Sequence, residues 1–188
     1  MDVSKAFDRV DPILLARKLL DFAMNKVLVR WNRKLRVKIG GDTSDWFSVD
    51  SGIPQGTVLG PILWLIWIND CPVDNLGSIS QTLIRGCLFV DDLFLFSSGT
   101  QKEQKKDLEE RLKKLYEWSN DWGVDFNPTK TKHMVFEFGT KRNRINHESS
   151  GFRLKFGGQT LTIEQRYRYL GLGFTPAARG YSKVLSVK

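Results

Sequence analysis

Two adjacent carboxylates, Asp91 and Asp92, interrupt a run of apolar residues that extends from Cys87 to Phe96. Aspartate is rare in strands, and an ionised carboxylate that is buried without a partner costs several kcal/mol. The flanking residues have the β-branched and aromatic content of strands, which predicts a well-formed hairpin with both acids at its tip. Two interpretations remain open: the acids are ordinary turn residues, or they bind a divalent metal, since hard cations prefer carboxylate oxygens. The metal interpretation needs a third carboxylate.

The composition restricts the class of protein. A chain of 188 residues is long enough for one domain with a sizeable core, and its net charge of +8 favours polyanionic partners such as nucleic acid. The only cysteines, Cys71 and Cys87, lack the spacing of a zinc site and suit a reducing compartment. No apolar run reaches the length of a membrane span, and the first residues do not resemble a secretory signal. We therefore expect an intracellular protein, nuclear or cytoplasmic and not secreted, with no membrane partner.

Three stretches predict helices. Asp11-Pro12 begins an amphipathic pattern, and a Gly- and Pro-rich segment (52–61) leads into an apolar helix over 62–68 that we expect to lie buried beneath a sheet. Thr100-x-x-Glu103 has the form of a capping box before a long amphipathic helix. Between the first two stretches, the basic run 30–38 is open to two interpretations, a solvated face or a surface that contacts phosphates.

The remaining segments predict strands. Hairpins are expected over 37–49 and around Gly157-Gly158, and single strands over 133–138 and 167–174, whereas the residues past Pro176 carry little signal and are expected to fray. The order of helices and strands predicts an α+β domain, in which an antiparallel sheet carries helices on one face.

Asp2 can supply the missing third carboxylate. Together, Asp2, Asp91 and Asp92 would form the acidic cluster that two-metal phosphoryl or nucleotidyl transfer requires. Because a single residue precedes Asp2, we expect Asp2 to be held loosely, with no strand to support it.

The chain resembles the reverse transcriptases, and the residues of its motifs are most similar to those of the enzymes of non-LTR (LINE-type) retrotransposons. Five segments resemble the palm motifs of that family, in the family's order: 2–8, 52–61, 89–92, 118–132 and 169–171. Each segment is a weak signal by itself, but five in order over nearly the whole chain are specific. The resemblance implies a polymerase palm, ferredoxin-like in topology, over residues 1–176, with 177–188 as a tail or the start of a thumb connection.

The resemblance also implies roles for individual residues. Asp2, Asp91 and Asp92 would bind the metals with help from the Val3 carbonyl, and Lys130 would protonate pyrophosphate. The implied nucleotide-binding residues are Val3, Ala6, Phe7, Gln55 and Gly56, with Phe7 stacking under the sugar and excluding a 2′-hydroxyl. Tyr169, Leu170 and Gly171 would belong to the primer grip. For three of these residues an alternative remains: Phe7 as a core aromatic, Lys130 as a solvated turn lysine and Tyr169 as part of a core strand.

The function implied is RNA-directed DNA polymerisation, with an RNA template, a DNA primer, deoxynucleoside triphosphates and two Mg²⁺ ions, or Mn²⁺ in their place. Family members carry fingers before the first motif and a thumb after the fifth, so we expect a fragment that lacks the fingers and most of the thumb. The alternative is a catalytically inactive retroelement remnant that folds and binds nucleic acid through its basic surface. Another two-metal enzyme, such as a nuclease, is the third class.

Overall fold

A computed structural model describes residues 1, 3–29, 34–73, 83–98, 100–136, 152–175 and 185–186. In these ranges the helices are α1 (Pro12–Asp21), α2 (Lys26–Val29), α3 (Gly60–Ile68) and α4 (Gln101–Asp121). The strands are β1 (Lys34–Leu35), β2 (Lys38–Ile39), β3 (Asp42–Thr43), β4 (Phe47–Ser48), β5 (Leu83–Phe89), β6 (Asp92–Ser98), β7 (Lys132–His133), β8 (Lys155–Phe156), β9 (Gln159–Thr160), β10 (Thr162–Ile163), β11 (Tyr167–Tyr169), β12 (Leu172–Phe174) and β13 (Leu185–Ser186). The α+β class predicted from the sequence is confirmed.

The strands form several small sheets within the described residues, and not the single antiparallel sheet that was expected. The longest ladder joins β5 to β6 over seven residue pairs, and the other ladders contain two or three pairs each. All are antiparallel except the pairing of β10 with β7. Strands this short expose few backbone groups to a further neighbour, which limits how far each sheet extends.

The helices begin close to the predicted residues, but the amphipathic pattern that begins at Asp11-Pro12 is divided into α1 and α2. Asp11 caps α1 by accepting hydrogen bonds from the amides of Ile13 and Leu14, and Gly123, with φ of +63°, follows the end of α4. In α3 the prediction of complete burial is wrong, because Ile62 and Leu65 are 50% and 63% exposed. Only the opposite face of α3, which packs on α1, reaches the core.

Three strand predictions need correction. Within 37–49, β2 pairs with β3 around Gly40-Gly41, whereas β4 pairs with β1, which precedes the expected hairpin. The strand expected over 133–138 is limited to β7, and its last two residues lie outside the described ranges. The single strand expected over 167–174 is a hairpin, since Leu170 and Gly171 both have positive φ and reverse the chain between β11 and β12. In the segment expected to fray, residues 185–186 pair with β12 as β13.

One core extends through the described residues. Its members come from all the main segments, with Trp64 and Trp67 of α3 among the most buried, as the sequence predicted. The hairpin of β5 and β6 contributes Leu93, and α4 contributes Leu112 and Leu115. The end of the hairpin that bears the two aspartates is therefore anchored in the packed core through Leu93.

Candidate active site

The aspartate hairpin ends in a two-residue loop, Val90-Asp91, because Phe89 pairs with Asp92 at the last position of the ladder. Asp91 therefore lies in the loop while Asp92 is the first residue of β6, a small correction to the prediction that both form the tip. Both side chains are partly buried. Val90 has φ of +56°, in the left-handed region, which is an outlier for a β-branched residue and requires support from its surroundings.

The first residues of the chain are hydrogen-bonded to this hairpin. Met1 and Leu93 exchange two backbone hydrogen bonds, of 2.6 and 2.8 Å, and the Val3 amide donates to the Asp91 carbonyl at 3.1 Å. Val3 also forms an isolated antiparallel bridge with Phe126. The expectation that no strand-like pairing supports this segment is therefore wrong for Met1 and Val3, whereas Asp2 itself lies outside the described residues.

The Gly- and Pro-rich loop packs against the segment that follows Val3. The Ile53 amide donates to the Phe7 carbonyl at 2.6 Å, and the Gly52 amide donates to the Val10 carbonyl at 2.9 Å. Gln55 donates from Nε2 to Oδ1 of Asp8 at 3.0 Å. The structure thus brings together the first two motif segments, which are about 45 residues apart in the sequence.

The predicted nucleotide-binding residues differ in exposure. Val3 and Ala6 are buried and Phe7 is partly buried, whereas Gln55 and Gly56 lie exposed on the loop. The backbone of buried Val3, which includes the carbonyl assigned to the metals, is paired with Phe126. The buried residues hold this surface in place, and the exposed loop residues are accessible to a ligand that binds from one side.

Trp64, which lies in the apolar helix that the sequence predicted to be buried, joins two parts of this site. Its ring stacks on Phe7 with centroids 5.3 Å apart, and its Nε1 donates to the Val90 carbonyl at 2.6 Å. The available signal in the sequence was weak: a buried indole usually finds a partner for its N–H, but nothing in the sequence says which one.

The predicted primer-grip residues lie on the β11–β12 hairpin. The rings of Tyr169 and Phe94 have centroids 5.3 Å apart, and burial, followed by the charge of Asp92 and then by Cys87 and Tyr167, raises the pKa of the Tyr169 hydroxyl. The structure therefore brings Tyr169 into electrostatic contact with Asp92. Leu170 and Gly171 form the exposed turn of this hairpin.

Lys130 is exposed on the turn before β7. The Asn127 carboxamide oxygen closes this turn by accepting from the amides of Thr129 and Lys130, at 3.0 and 3.2 Å. The position agrees with the alternative of a solvated turn lysine, and a catalytic role for Lys130 stays a prediction.

The donor atoms at the hairpin suit a hard divalent cation. Asp91 and Asp92 offer carboxylate oxygens from adjacent, partly buried positions, which is the ligand chemistry that Mg²⁺ and Mn²⁺ prefer. Within the described ranges, no three His, Cys, Asp or Glu side chains are grouped to hold a metal, and Asp2 lies outside those ranges.

Residues 1–174 match the family model for reverse transcriptase (RNA-dependent DNA polymerase). The chain belongs to this family. The reverse transcriptase chain is 30% identical to the RNA-directed DNA polymerase from the mobile element jockey of Drosophila funebris, over 92% of this chain and 19% of the relative. It is 32% identical to the Pol polyprotein from the type-1 retrotransposable element R1 2 of Nasonia vitripennis, over 66% of this chain and 29% of that protein.

These relatives confirm the resemblance to the enzymes of non-LTR retrotransposons. A further similarity, 31% over 74% of this chain and 16% of the relative, is to a probable RNA-directed DNA polymerase from transposon BS of Drosophila melanogaster. The chain spans about a fifth of the length of the first of these relatives. Of the helices in the described part of the reverse transcriptase chain, none has the length and apolar character needed to cross a membrane.

Proposed function

We propose that this chain is the palm of an RNA-directed DNA polymerase, which adds deoxynucleotides to the 3′-hydroxyl of a DNA primer on an RNA template. The observation that carries the proposal is the set of backbone hydrogen bonds that joins Met1 and Val3 to Leu93 and Asp91. These bonds attach the first motif segment to the hairpin of the third motif, as an acidic site shared by both motifs requires. The family match over residues 1–174 supports the reaction class.

The fold that we propose is the ferredoxin-like polymerase palm, over residues 1–176. Residues 177–188 are then a tail or the start of a connection to a thumb. The long β5–β6 hairpin, supported by α3 and α4, is the feature that favours this assignment. The proposed reaction uses an RNA template and deoxynucleotides, which implies a nuclear or cytoplasmic site of action.

We assign metal binding to Asp2, Asp91 and Asp92, with help from the Val3 carbonyl. Two Mg²⁺ ions, or Mn²⁺ ions, would supply activation of the primer 3′-hydroxyl and neutralisation of the triphosphate. The role of the protein is to fix the carboxylates before substrate binds. The hydrogen bonds from Val3 to Asp91 and between Met1 and Leu93 restrain the backbone that bears them.

The nucleotide pocket that we propose is formed by Val3, Ala6, Phe7, Gln55 and Gly56. Phe7 lies on the rigid ring of Trp64, which makes it a firm surface for the sugar and a barrier to a 2′-hydroxyl. Gln55 and Gly56 are exposed on the loop next to it, where they are available to the incoming nucleotide. Preference for deoxynucleotides follows from the fixed position of Phe7.

Two further assignments complete the proposal. Lys130 would donate a proton to the leaving pyrophosphate from its exposed turn, and Tyr169, Leu170 and Gly171 would hold the primer end. The tilted contact of the Tyr169 ring with Phe94 and the influence of Asp92 on the Tyr169 pKa support a primer-binding surface beside the acids.

Primer extension on an RNA template tests the proposal. We expect extension by the isolated chain with Mg²⁺ or Mn²⁺, and a loss of at least about a hundredfold in Asp91→Asn, because the amide cannot bind the metal as a charged ligand. Asp42→Asn is the matched control, since Asp42 is an exposed aspartate on β3. Equal rates for Asp91→Asn and wild type would refute the assignment of the acids.

The alternative function is nucleic-acid binding without turnover. The observation that favours it is the exposed β1–β4 segment, where the Arg36 guanidinium lies 4.6 Å from the centre of the Trp46 ring, a combination suited to phosphates and bases. Salt-dependent binding of RNA and DNA without extension under any metal would identify this alternative. Strand cleavage without added nucleotides would instead indicate a nuclease.

A further inference from the structure

Trp64 makes two contacts that belong to different parts of the proposed active site. Its indole N–H donates to the Val90 carbonyl at 2.6 Å, and its ring stacks on Phe7 at a centroid distance of 5.3 Å with an interplanar angle of 27°. The side chain is only 2% exposed. Its position on α3 is therefore fixed by the core, and it transmits that rigidity to both contacts.

The contact with Val90 acts on a strained backbone. Val90 precedes Asp91, and its φ of +56° is unfavourable for a β-branched side chain. A hydrogen bond to its carbonyl holds the peptide unit that joins Val90 to Asp91. Loss of the donor would remove the indole partner of this part-buried carbonyl and free the loop to relax toward ordinary dihedral angles.

The contact with Phe7 acts on the residue assigned to sugar discrimination. Phe7 is only partly buried, and the ring of Trp64 supports one of its faces. The Phe7 carbonyl also accepts from Ile53, so the backbone and the ring of Phe7 are held separately. A smaller side chain at position 64 would remove support from the ring without removing the backbone bond.

We propose that Trp64 is a positioning residue that sets the geometry of the aspartate loop through its N–H and the selectivity for the sugar through its ring. The inference rests on the proposed function and deepens it, since it assigns two separable effects to one side chain outside the motif residues. The hydrogen bond acts through Val90 on Asp91, and the stacked ring acts through Phe7 on the incoming nucleotide.

Two variants separate these effects. Trp64→Phe keeps a ring against Phe7 but removes the donor, whereas Trp64→Leu removes both. Trp67→Phe is the matched control, because Trp67 lies on the same helix, is equally buried and packs edge-on against Trp122. A general loss of core packing affects Trp64→Phe and Trp67→Phe in the same way.

The first measurement does not depend on activity. Amide hydrogen exchange is followed in peptides that cover 86–98 and, as an internal reference, 152–163. We expect Trp64→Phe to speed exchange about tenfold in the first peptide and little in the second, because one part-buried hydrogen bond is lost locally. Exchange equal to that of Trp67→Phe in both peptides would overturn the effect on the loop.

The second measurement is the ratio of deoxy- to ribonucleotide incorporation, as kcat/KM. We expect Trp64→Phe to keep the wild-type ratio while its kcat falls, and Trp64→Leu to lower the ratio about tenfold. An unchanged ratio in Trp64→Leu would overturn the effect on Phe7. If the wild-type chain extends no primer, the exchange result still decides the effect on the loop, so that failure of the inference is distinguishable from failure of the proposed function.

Discussion

Gly52 lies where the first two motif segments pack closely against each other. Its φ is +83°, and a Cβ added there would lie 2.9 Å from the Cα and carbonyl oxygen of Asp8 and from the carbonyl oxygen of Phe7. These are backbone atoms, which cannot move aside as the end of a flexible side chain can. Glycine is therefore required at position 52 for two reasons: the positive φ, and the lack of space for a Cβ.

We expect Gly52→Ala to lower the free energy of unfolding by about 3 kcal/mol, from the combined cost of overpacking and of a positive φ. Urea denaturation followed by tryptophan fluorescence measures this change. The matched control is Gly40→Ala, because Gly40 has φ of +60° but an added Cβ meets no described atom within 4 Å. Equal losses in the two variants would show that conformation alone matters at position 52.

The two cysteines have opposite environments. Burial raises the pKa of the Cys71 thiol to about 12, whereas Cys87 is exposed on β5. Between pH 9.0, the ordinary thiol pKa, and about pH 12, the Cys71 thiol keeps its proton in the folded state and loses it in the unfolded state. Folding stability contributed by Cys71 is therefore complete below pH 9 and falls as the pH rises through this range.

We predict a loss of stability with pH above 9 whose slope is at most about 1.4 kcal/mol per pH unit from this residue. The measurement is urea denaturation over this alkaline range for wild type and Cys71→Ala, and the variant should have the shallower slope. As an independent check, alkylation at about pH 8 should modify Cys87 and spare Cys71. Identical slopes would contradict the buried thiol as their source.

At the level of the elements, the residues that precede α1 and α4 differ in what they bind. The Asp11 carboxylate accepts from the Ile13 and Leu14 amides at 2.7 and 3.0 Å. The Thr100 hydroxyl is hydrogen-bonded to the Glu103 carboxylate at 2.6 Å and makes no side-chain cap bond to the backbone of α4. The sequence signal is similar at both helices, but only Asp11 satisfies the backbone donors of its helix.

We therefore predict that Asp11→Ala lowers the free energy of unfolding by about 1 kcal/mol and Thr100→Ala by only a few tenths. Urea denaturation monitored by circular dichroism at the helix band compares the two variants directly. Equal costs would indicate that Thr100 caps α4 in solution as the sequence pattern suggests.

The strands show which features a sequence can specify. The Gly157-Gly158 turn and the aspartate hairpin follow from local signals, namely paired glycines and paired acids between apolar runs. The hairpin at Leu170-Gly171 was missed, because Leu170 adopts φ of +46° only in its tertiary context. The exposed face of α3 was missed for a similar reason: a helix that is apolar on every side carries no signal for which face the core covers.

In the candidate site too, some features follow from local sequence signals and others depend on tertiary packing. The motif segments themselves follow from residues close together in the sequence, whereas the bonds between Met1 and Leu93 join positions that are 92 residues apart. Trp64 is similar, because its partner Val90 lies 26 residues away. Such contacts depend on how the elements pack, and hydrophobic periodicity does not encode them.

Across the whole molecule, Lys18 connects three helices. This buried lysine of α1 donates from Nζ to the Trp67 carbonyl of α3, at 2.5 Å, and to the Asp70 carboxylate. The same carboxylate oxygen accepts from the Trp118 indole of α4 at 3.2 Å. Lys18 Nζ also lies 3.7 Å from the centre of the Trp122 ring, where the face of an indole attracts a cation.

This junction joins helices whose residues contact the candidate site. Burial lowers the pKa of Lys18, and the Asp70 carboxylate acts in the opposite direction. Trp67 lies one helical turn beyond Trp64 on α3, and α4 leads through Val124 to Phe126, the partner of Val3. The helices that hold Trp64 and Phe126 in place are therefore joined through one side chain.

Lys18→Ala should lower the free energy of unfolding by about 3 kcal/mol, because it leaves a cavity among the indole rings and removes the partner of Asp70. Lys18→Met should cost clearly less, since its thioether fills the space and packs on aromatic rings, while Asp70, 47% exposed, is hydrated. Urea denaturation measures both, with Lys114→Ala as a control at a surface ion pair of α4, where little change is expected. Equal losses in the two Lys18 variants would mean that the charge of Lys18, and not its packing, joins the helices.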